Sequence, residues 1–114
     1  MTEQVGIGPT GRQSILARCC LVNYDGEIIY DRFIKPKSFV TDFRTDVSGV
    51  LPKHVLGNGA IPLEDCQREV AQLIRDKIVI GHALKNDLHA LLLTHPKYLI
   101  RDTARYVPLM RARG

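Results

Sequence analysis

Side-chain alternation is the strongest local signal in this chain. From Ser14 to Tyr24, Ile15, Ala17, Cys19 and Leu21 fall on one face and Leu16, Cys20 and Val22 on the other, which is the period of a strand covered on both sides. Asp25-Gly26 then supplies two residues that tolerate positive φ, so a tight hairpin turn is expected, with Glu27 to Ile34 returning as the partner strand before Pro36. Residues 37–61 lose this period and carry Gly49, Pro52, Gly57 and Gly59, which predicts a surface loop with one or two short helical turns.

A helical period begins after that loop. Pro62 suits a first helical position, Glu64 and Asp65 sit against the positive helix end, and Leu63, Cys66, Val70, Leu73 and Ile74 define an inward face. Lys77 to His82 contains the β-branched run Ile78-Val79-Ile80, read as a parallel strand buried on both faces. Leu84, Leu88, Leu91 and Leu92 form the stripe of a second helix that stops before Pro96, leaving Tyr98 to Thr103 for a last strand. This order predicts an α/β fold with a mixed sheet, antiparallel hairpin strands plus parallel strands, and flanking helices. A chain of 114 residues with no repeat or linker is expected to form one domain over 1–114, and that architecture alone specifies no activity.

Charge narrows the partners. Sixteen Lys and Arg against 12 Asp and Glu give a formal charge of +4, which favours a polyanion over an acidic or membrane partner, while an ordinary basic soluble protein explains the charge alone better. The basic residues are scattered except near the end, where Arg101, Arg105, Arg111 and Arg113 suit either a phosphate backbone or a solvated terminus. Cys19, Cys20 and Cys66 show no CxxC or Cys/His spacing, so they are expected to be reduced core thiols rather than a disulfide framework or zinc site. With neither a leader-like start nor about 18 consecutive apolar residues, the expectation is no membrane segment and a cytoplasmic or nuclear protein.

Two carboxylates stand out for different reasons. Asp87 lies about a quarter turn from the centre of the leucine stripe and follows a strand ending in Gly81-His82. Strand ends of open α/β sheets gather ligands, although an acid at the rim of a core is also a common surface residue. Glu3, read alone, is a solvated acid near a terminus.

The wording of several ordered segments changes that weighting. EQVGIGP, LARCCLVNYDGEIIYDRFIKP, TDFRTDVSGV, KIVIGHALKNDLHAL and HPKYLIRDT together resemble the RNA exonuclease 4 and interferon-stimulated exonuclease group of the DEDDh superfamily. The resemblance implies a ribonuclease H-like fold, incomplete here at both termini, and a 3′-to-5′ exonuclease acting on single-stranded RNA or DNA 3′ ends. It also implies rRNA processing in the nucleus or nucleolus, with a cytoplasmic location left open. In that group an Asp-x-Glu on the first strand, an Asp on a helix and a late His-x4-Asp hold two Mg2+ or Mn2+ ions. One ion activates water and the other stabilises the leaving oxygen, and the His serves as general base.

Carried over residue by residue, Glu3 and Asp87 match catalytic and metal-binding carboxylates. Met1 stands where the group has its first Asp, no His-x4-Asp follows Asp87, and neither His89 nor His95 matches the late His. A thioether is a poor magnesium ligand, so an impaired metal site is expected. Arg44 matches an arginine near the terminal nucleotide, where a guanidinium binds ribose or phosphate oxygens; a loop tether is the alternative. Gln4 replaces a group Met at a sugar-contact position, and Asn86 stands beside Asp87 within reach of substrate. His82, Asp102 and Thr103 also match group positions, and buried hydrogen-bonding roles explain them equally well. Three readings remain: an exonuclease, a non-catalytic chain binding nucleic acid or protein, and an incomplete product. Missing segments are expected to leave apolar surface exposed and stability marginal, and a protein partner can cover the gap.

Overall fold

Four strands, β1 (Thr2–Ile7), β2 (Gln13–Val22), β3 (Ile28–Phe33) and β4 (Val40–Asp42), form an antiparallel sheet of order β3-β2-β1-β4 in the computed structural model, which describes residues 2–104. The alternation in β2 is realised, with Leu16, Ala17 and Cys19 buried at 5%, 1% and 0% exposure. Between β1 and β2 the register passes from Glu3↔Arg18 to Gln4↔Leu16, so Ala17 has no partner on β1 and forms a bulge. Cys19 and Cys66 are buried, Cys20 is half-buried, and all three are free thiols.

The β2–β3 hairpin forms, but its turn differs from the two-residue turn expected at Asp25-Gly26. Only Gly26 takes positive φ, 81°. Gly26 N donates to Asn23 O at 3.0 Å and Asn23 N donates to Glu27 O at 2.9 Å, while Asn23 Oδ1 accepts from the amides of Asp25 and Glu27. An asparagine side chain that caps its own turn therefore widens the loop to three residues closed by a left-handed glycine. Gly26→Ala is expected to cost about 1 kcal/mol through that backbone conformation alone, because no atom lies within 4 Å of the added Cβ; a urea midpoint unchanged from wild type would contradict the turn.

The polar stretch 37–61 contains the two expected helical turns, α1 (Thr45–Ser48) and α2 (Pro52–Leu56), and also β4, which pairs with β1 through Gly6↔Asp42 and Ile7↔Val40. Three residues with a distant partner carry no period to read. Val5, Ala17, Val40, Val50 and Val55 make the core cluster here, with Ile15, Phe33 and Phe43 packed against it. The chain divides after Cys66 into two compact units. Helix α3 (Leu63–Ile74) begins one residue after Pro62, the expected first helical position; the Pro62 carbonyl accepts from the amides of Asp65 and Cys66, and Cys66 and Val70 are the buried positions of the helix.

In the second unit, β5 (Val79–Gly81) and β6 (Ile100–Asp102) pair in parallel, and α4 (Leu84–Ala90) lies between them in sequence. Two expectations are corrected. Ile78 and Ile80 are 54% and 68% exposed, because β5 has a single strand neighbour among the described residues and its Ile80 face is uncovered. Leu92 is 67% exposed, because the helix ends at Ala90 and Leu92 itself takes φ 55°, which swings it out of the stripe. Leu84 and Leu91 are buried. Tyr98 to Thr103 resolves into a 3-10 turn at Lys97–Leu99 followed by β6.

Candidate functional site

The first unit carries Glu3, Gln4 and Arg44. β1 places Glu3 opposite Arg18 of β2, and strand alternation puts Gln4 and Gly6 on the face away from Glu3. The Arg44 guanidinium reaches that second face. A Cβ built on Gly6 would lie 3.2 Å from Arg44 Nη2 and would overlap the Gly11 carbonyl oxygen, so only glycine lets the β1–β2 turn close this tightly. Arg44 Nη1 donates to Ser14 Oγ at 2.8 Å and Nη2 donates to Gly11 O at 2.9 Å, which is the tether weighed from sequence. A guanidinium has five N–H donors, and among the described residues Arg44 uses two of them on the protein. Tethering therefore orients the group and leaves donors for oxygen atoms of a ligand.

Arg44 itself sits in the left-handed region, φ 51° and ψ 38°, at the start of α1. A non-glycine residue there is strained, and the strain is held by Asp42, whose Oδ1 accepts from Arg44 N at 2.9 Å. The second unit repeats the device at Asn86 and Asp87. Ala83 precedes α4 at φ 55° and ψ 47°, and Asp102 at the end of β6 holds it: Oδ1 accepts from Ala83 N at 2.8 Å and Ala104 N at 3.0 Å, and Oδ2 accepts from Leu84 N at 3.0 Å. Desolvation pushes the Asp102 carboxyl up, and those three amides outweigh it and hold the group below its ordinary value of 3.8. Asp102 thus caps the helix that bears Asp87 in its first turn.

His82 corrects the expected buried role. Its Nδ1 lies 3.1 Å from Thr103 Oγ1, in hydrogen-bond range, but the residue is exposed, while Thr103 N donates to Gly81 O at 2.8 Å and zips the strand ends together. Neither Asp102 nor Thr103 is fully buried. A cleft of about 830 Å³ beside α4 is lined by Lys85, Asn86, Leu88, His89, Lys97 and Asp102, among others, with Asp87 outside the lining. His95 Nε2 lies 2.8 Å from Lys77 O, in hydrogen-bond range, in a structural link. Arg101 Nη1 donates to the carbonyls of Tyr98 and Ile100; Met1, Arg105, Arg111 and Arg113 lie outside the described residues.

Sequence reasoning missed one cluster near Glu3. Arg18 Nε and Nη2 donate to Asp31 Oδ1 and Oδ2 at 2.9 and 2.8 Å, and the guanidinium lies over the Phe33 ring, 5.5 Å from its centroid. Phe33 stacks in turn on His54, centroids 4.4 Å apart. The available signal was a lone cation within an apolar run and a lone carboxylate in the returning strand. Among the described residues no three His, Cys, Asp or Glu are grouped to hold a metal. Glu3 and Asp87 nonetheless fit Mg2+ or Mn2+ in kind, being partly exposed hard-oxygen donors, and Mg2+ keeps several waters and commonly takes only one or two carboxylates.

No protein-family model matches the chain. It is 55% identical over 107 residues, 94% of its length, to an RNA exonuclease 4 of Mycosarcoma maydis, and 46% identical over 109 residues, 96% of its length, to the RNA exonuclease 4 of Saccharomyces cerevisiae. It spans 28% and 37% of those two proteins. Among solved structures, the pseudoubiquitin hydrolase-RNA exonuclease module of Saccharomyces cerevisiae Pan2, in complex with A7 RNA, superposes with a TM-score of 0.76 at 21% identity over 91% of this chain and 20% of that one. That likeness gives the fold, a mixed α/β arrangement with an antiparallel sheet and a parallel strand pair, as in the Pan2 module. Over the part of those relatives that it spans, the chain is similar throughout to proteins named RNA exonuclease 4.

Proposed function

We propose that this chain is the part of a metal-dependent 3′-to-5′ RNA exonuclease that holds the 3′ end of a single strand and supplies two of its metal carboxylates, Glu3 and Asp87. The observation that carries the reading is Asp87 in the first turn of α4, directly after the end of β5, in a chain 55% identical to an RNA exonuclease 4. The Pan2 module in complex with A7 RNA supports a single RNA strand as the ligand. Arg44 presents its remaining donors to ribose or phosphate oxygens, Gln4 adds an amide on the same face of β1, and Asn86 adds another beside Asp87. Divalent metal at such carboxylates, Glu3 in the first unit and Asp87 in the second, would supply Lewis-acid stabilisation of the negative charge that develops in phosphodiester displacement.

The catalytic set within these 114 residues is partial, since Met1 occupies the matched Asp position and no His-x4-Asp follows Asp87. The chain is therefore expected to bind RNA without degrading it. The test is a 3′-labelled single-stranded RNA incubated with the folded chain and Mg2+ or Mn2+, beside Arg44→Ala and Asp87→Ala. Expected are retention of the label and binding weakened about tenfold by Arg44→Ala. Loss of label that needs both the metal and Asp87 would establish catalysis and overturn the partial-site reading. Binding indifferent to Arg44, or stronger for DNA than for RNA, would overturn the assignment of the strand.

A further inference from the structure

We propose that Asp31 is a positioning residue whose task is to hold the Arg18 guanidinium away from Glu3, so that the Glu3 carboxylate stays available to a divalent cation. The inference rests on the assignment of Glu3 as a metal carboxylate and adds a residue that acts through another.

Arg18 is the residue directly opposite Glu3 across the β1–β2 pair. Opposed residues place their Cβ atoms about 5 Å apart on one face of the sheet, well within the reach of an arginine side chain. Left to itself, an arginine there would pair with Glu3 and compete with any cation for the same oxygens. It turns the other way. Both atoms of its fork lie on the Asp31 carboxylate of β3, two residues beyond its own partner Phe33, and the Phe33 ring supports the guanidinium from below, itself stacked on His54. The hydrogen bond to Asp31 is also the largest influence raising the Arg18 pKa, with Glu3 the smallest named. The cation nearest Glu3 in the strand register is thereby neutralised by a second carboxylate, and the face keeps one net negative charge at Glu3. The pair is only part-exposed, with side-chain exposures of 36% and 31%, so solvent does not screen it fully.

Mn2+ titration of the full chain, followed by paramagnetic broadening of the Glu3 amide signal, tests this without any catalytic readout. Asp31→Asn keeps the shape and removes the charge; the Mn2+ concentration for half-broadening is expected to rise about tenfold. Asp31→Asn combined with Arg18→Gln removes the unpaired cation as well and is expected to return the midpoint to within about twofold of wild type, a rescue that a merely structural Asp31 would not give. If Asp31→Asn fails to fold, the double variant set against Arg18→Gln alone carries the comparison: both should broaden at wild-type Mn2+ concentration. A folded Asp31→Asn with an unchanged midpoint, or a double variant that binds as weakly as Asp31→Asn, would overturn the inference and leave the metal reading standing. Absence of any Mn2+ effect at Glu3 in the wild type would remove the metal reading itself and this inference with it.

Discussion

Gly6→Ala is expected to lower the unfolding free energy of the chain by about 1–3 kcal/mol, the usual cost of forcing atoms into a filled site. The reason lies in where β1 meets the turn that follows it. A Cβ at position 6 would overlap the Gly11 carbonyl oxygen and press on Arg44 Nη2. Gly11 is backbone, held at φ 68° by its own turn and hydrogen-bonded through its N to Gly8 O at 3.1 Å, so it cannot step aside as a flexible side chain would. Relief must come from moving the turn, and the turn is what Arg44 holds through Gly11 O and Ser14 Oγ. The same substitution is therefore expected to weaken RNA binding, since the displaced guanidinium loses its orientation. Gly59→Ala is the control: no atom lies within 4 Å of its added Cβ and its backbone is not left-handed, so it should stay within about 0.5 kcal/mol of wild type. Equal urea midpoints for the two variants would show that the close approach at Gly6 does not exist.

How much of this could be read from the chain beforehand depends on whether the cause is local. The β2–β3 hairpin and α3 were legible because their periods run over ten and twelve residues, and a long period leaves little choice of face. β4 was not, because three residues gain strand geometry only from a distant partner strand, through Gly6↔Asp42 and Ile7↔Val40. Ile78-Val79-Ile80 was legible as a strand and illegible as to burial: composition shows that a run can be covered, and only the neighbours decide whether it is. The turn at Gly26 was placed correctly and typed wrongly because Asn23, two residues before the expected pair, adds hydrogen bonds that propensity at Asp25-Gly26 does not contain.

The candidate residues divide along the same line. Glu3 and Arg44 were singled out through the wording of whole segments, and Asp87 also by its place after a strand end, whereas nothing local marked Glu3 at all. The support beneath them was hidden, since Asp42 and Asp102 act on backbone amides two and nineteen residues away, and side chain to backbone pairing across elements leaves no spacing rule. Both supported residues, Arg44 and Ala83, are non-glycine positions in the left-handed region. Strained backbone held by a carboxylate at the start of a short helix is where the first unit presents Arg44 and the second presents Asn86 and Asp87.

Asp102→Asn is expected to loosen the first turn of α4 and to abolish an acid-sensitive share of the stability. Two oxygens of Asp102 accept from three backbone amides, those of Ala83, Leu84 and Ala104. Asparagine keeps one acceptor and turns a donor toward the rest, so at least one of these amides is left facing another donor. Ala83 then has less to hold it at φ 55°, and the amides of the first turn, which a helix cannot satisfy internally, should exchange with solvent about tenfold faster. The pH dependence identifies charge as the cause. Because folding depresses the Asp102 pKa below its ordinary 3.8, its contribution is complete above that value and is lost as pH falls through the lower folded value. The difference in thermal midpoint between wild type and Asp102→Asn should therefore be constant from pH 7 down to about 5 and shrink below about 4, with Asp31 and other acids common to both proteins and cancelling. A difference that persists unchanged to low pH would mean that shape, and not the carboxylate charge, holds α4 and with it Asn86 and Asp87.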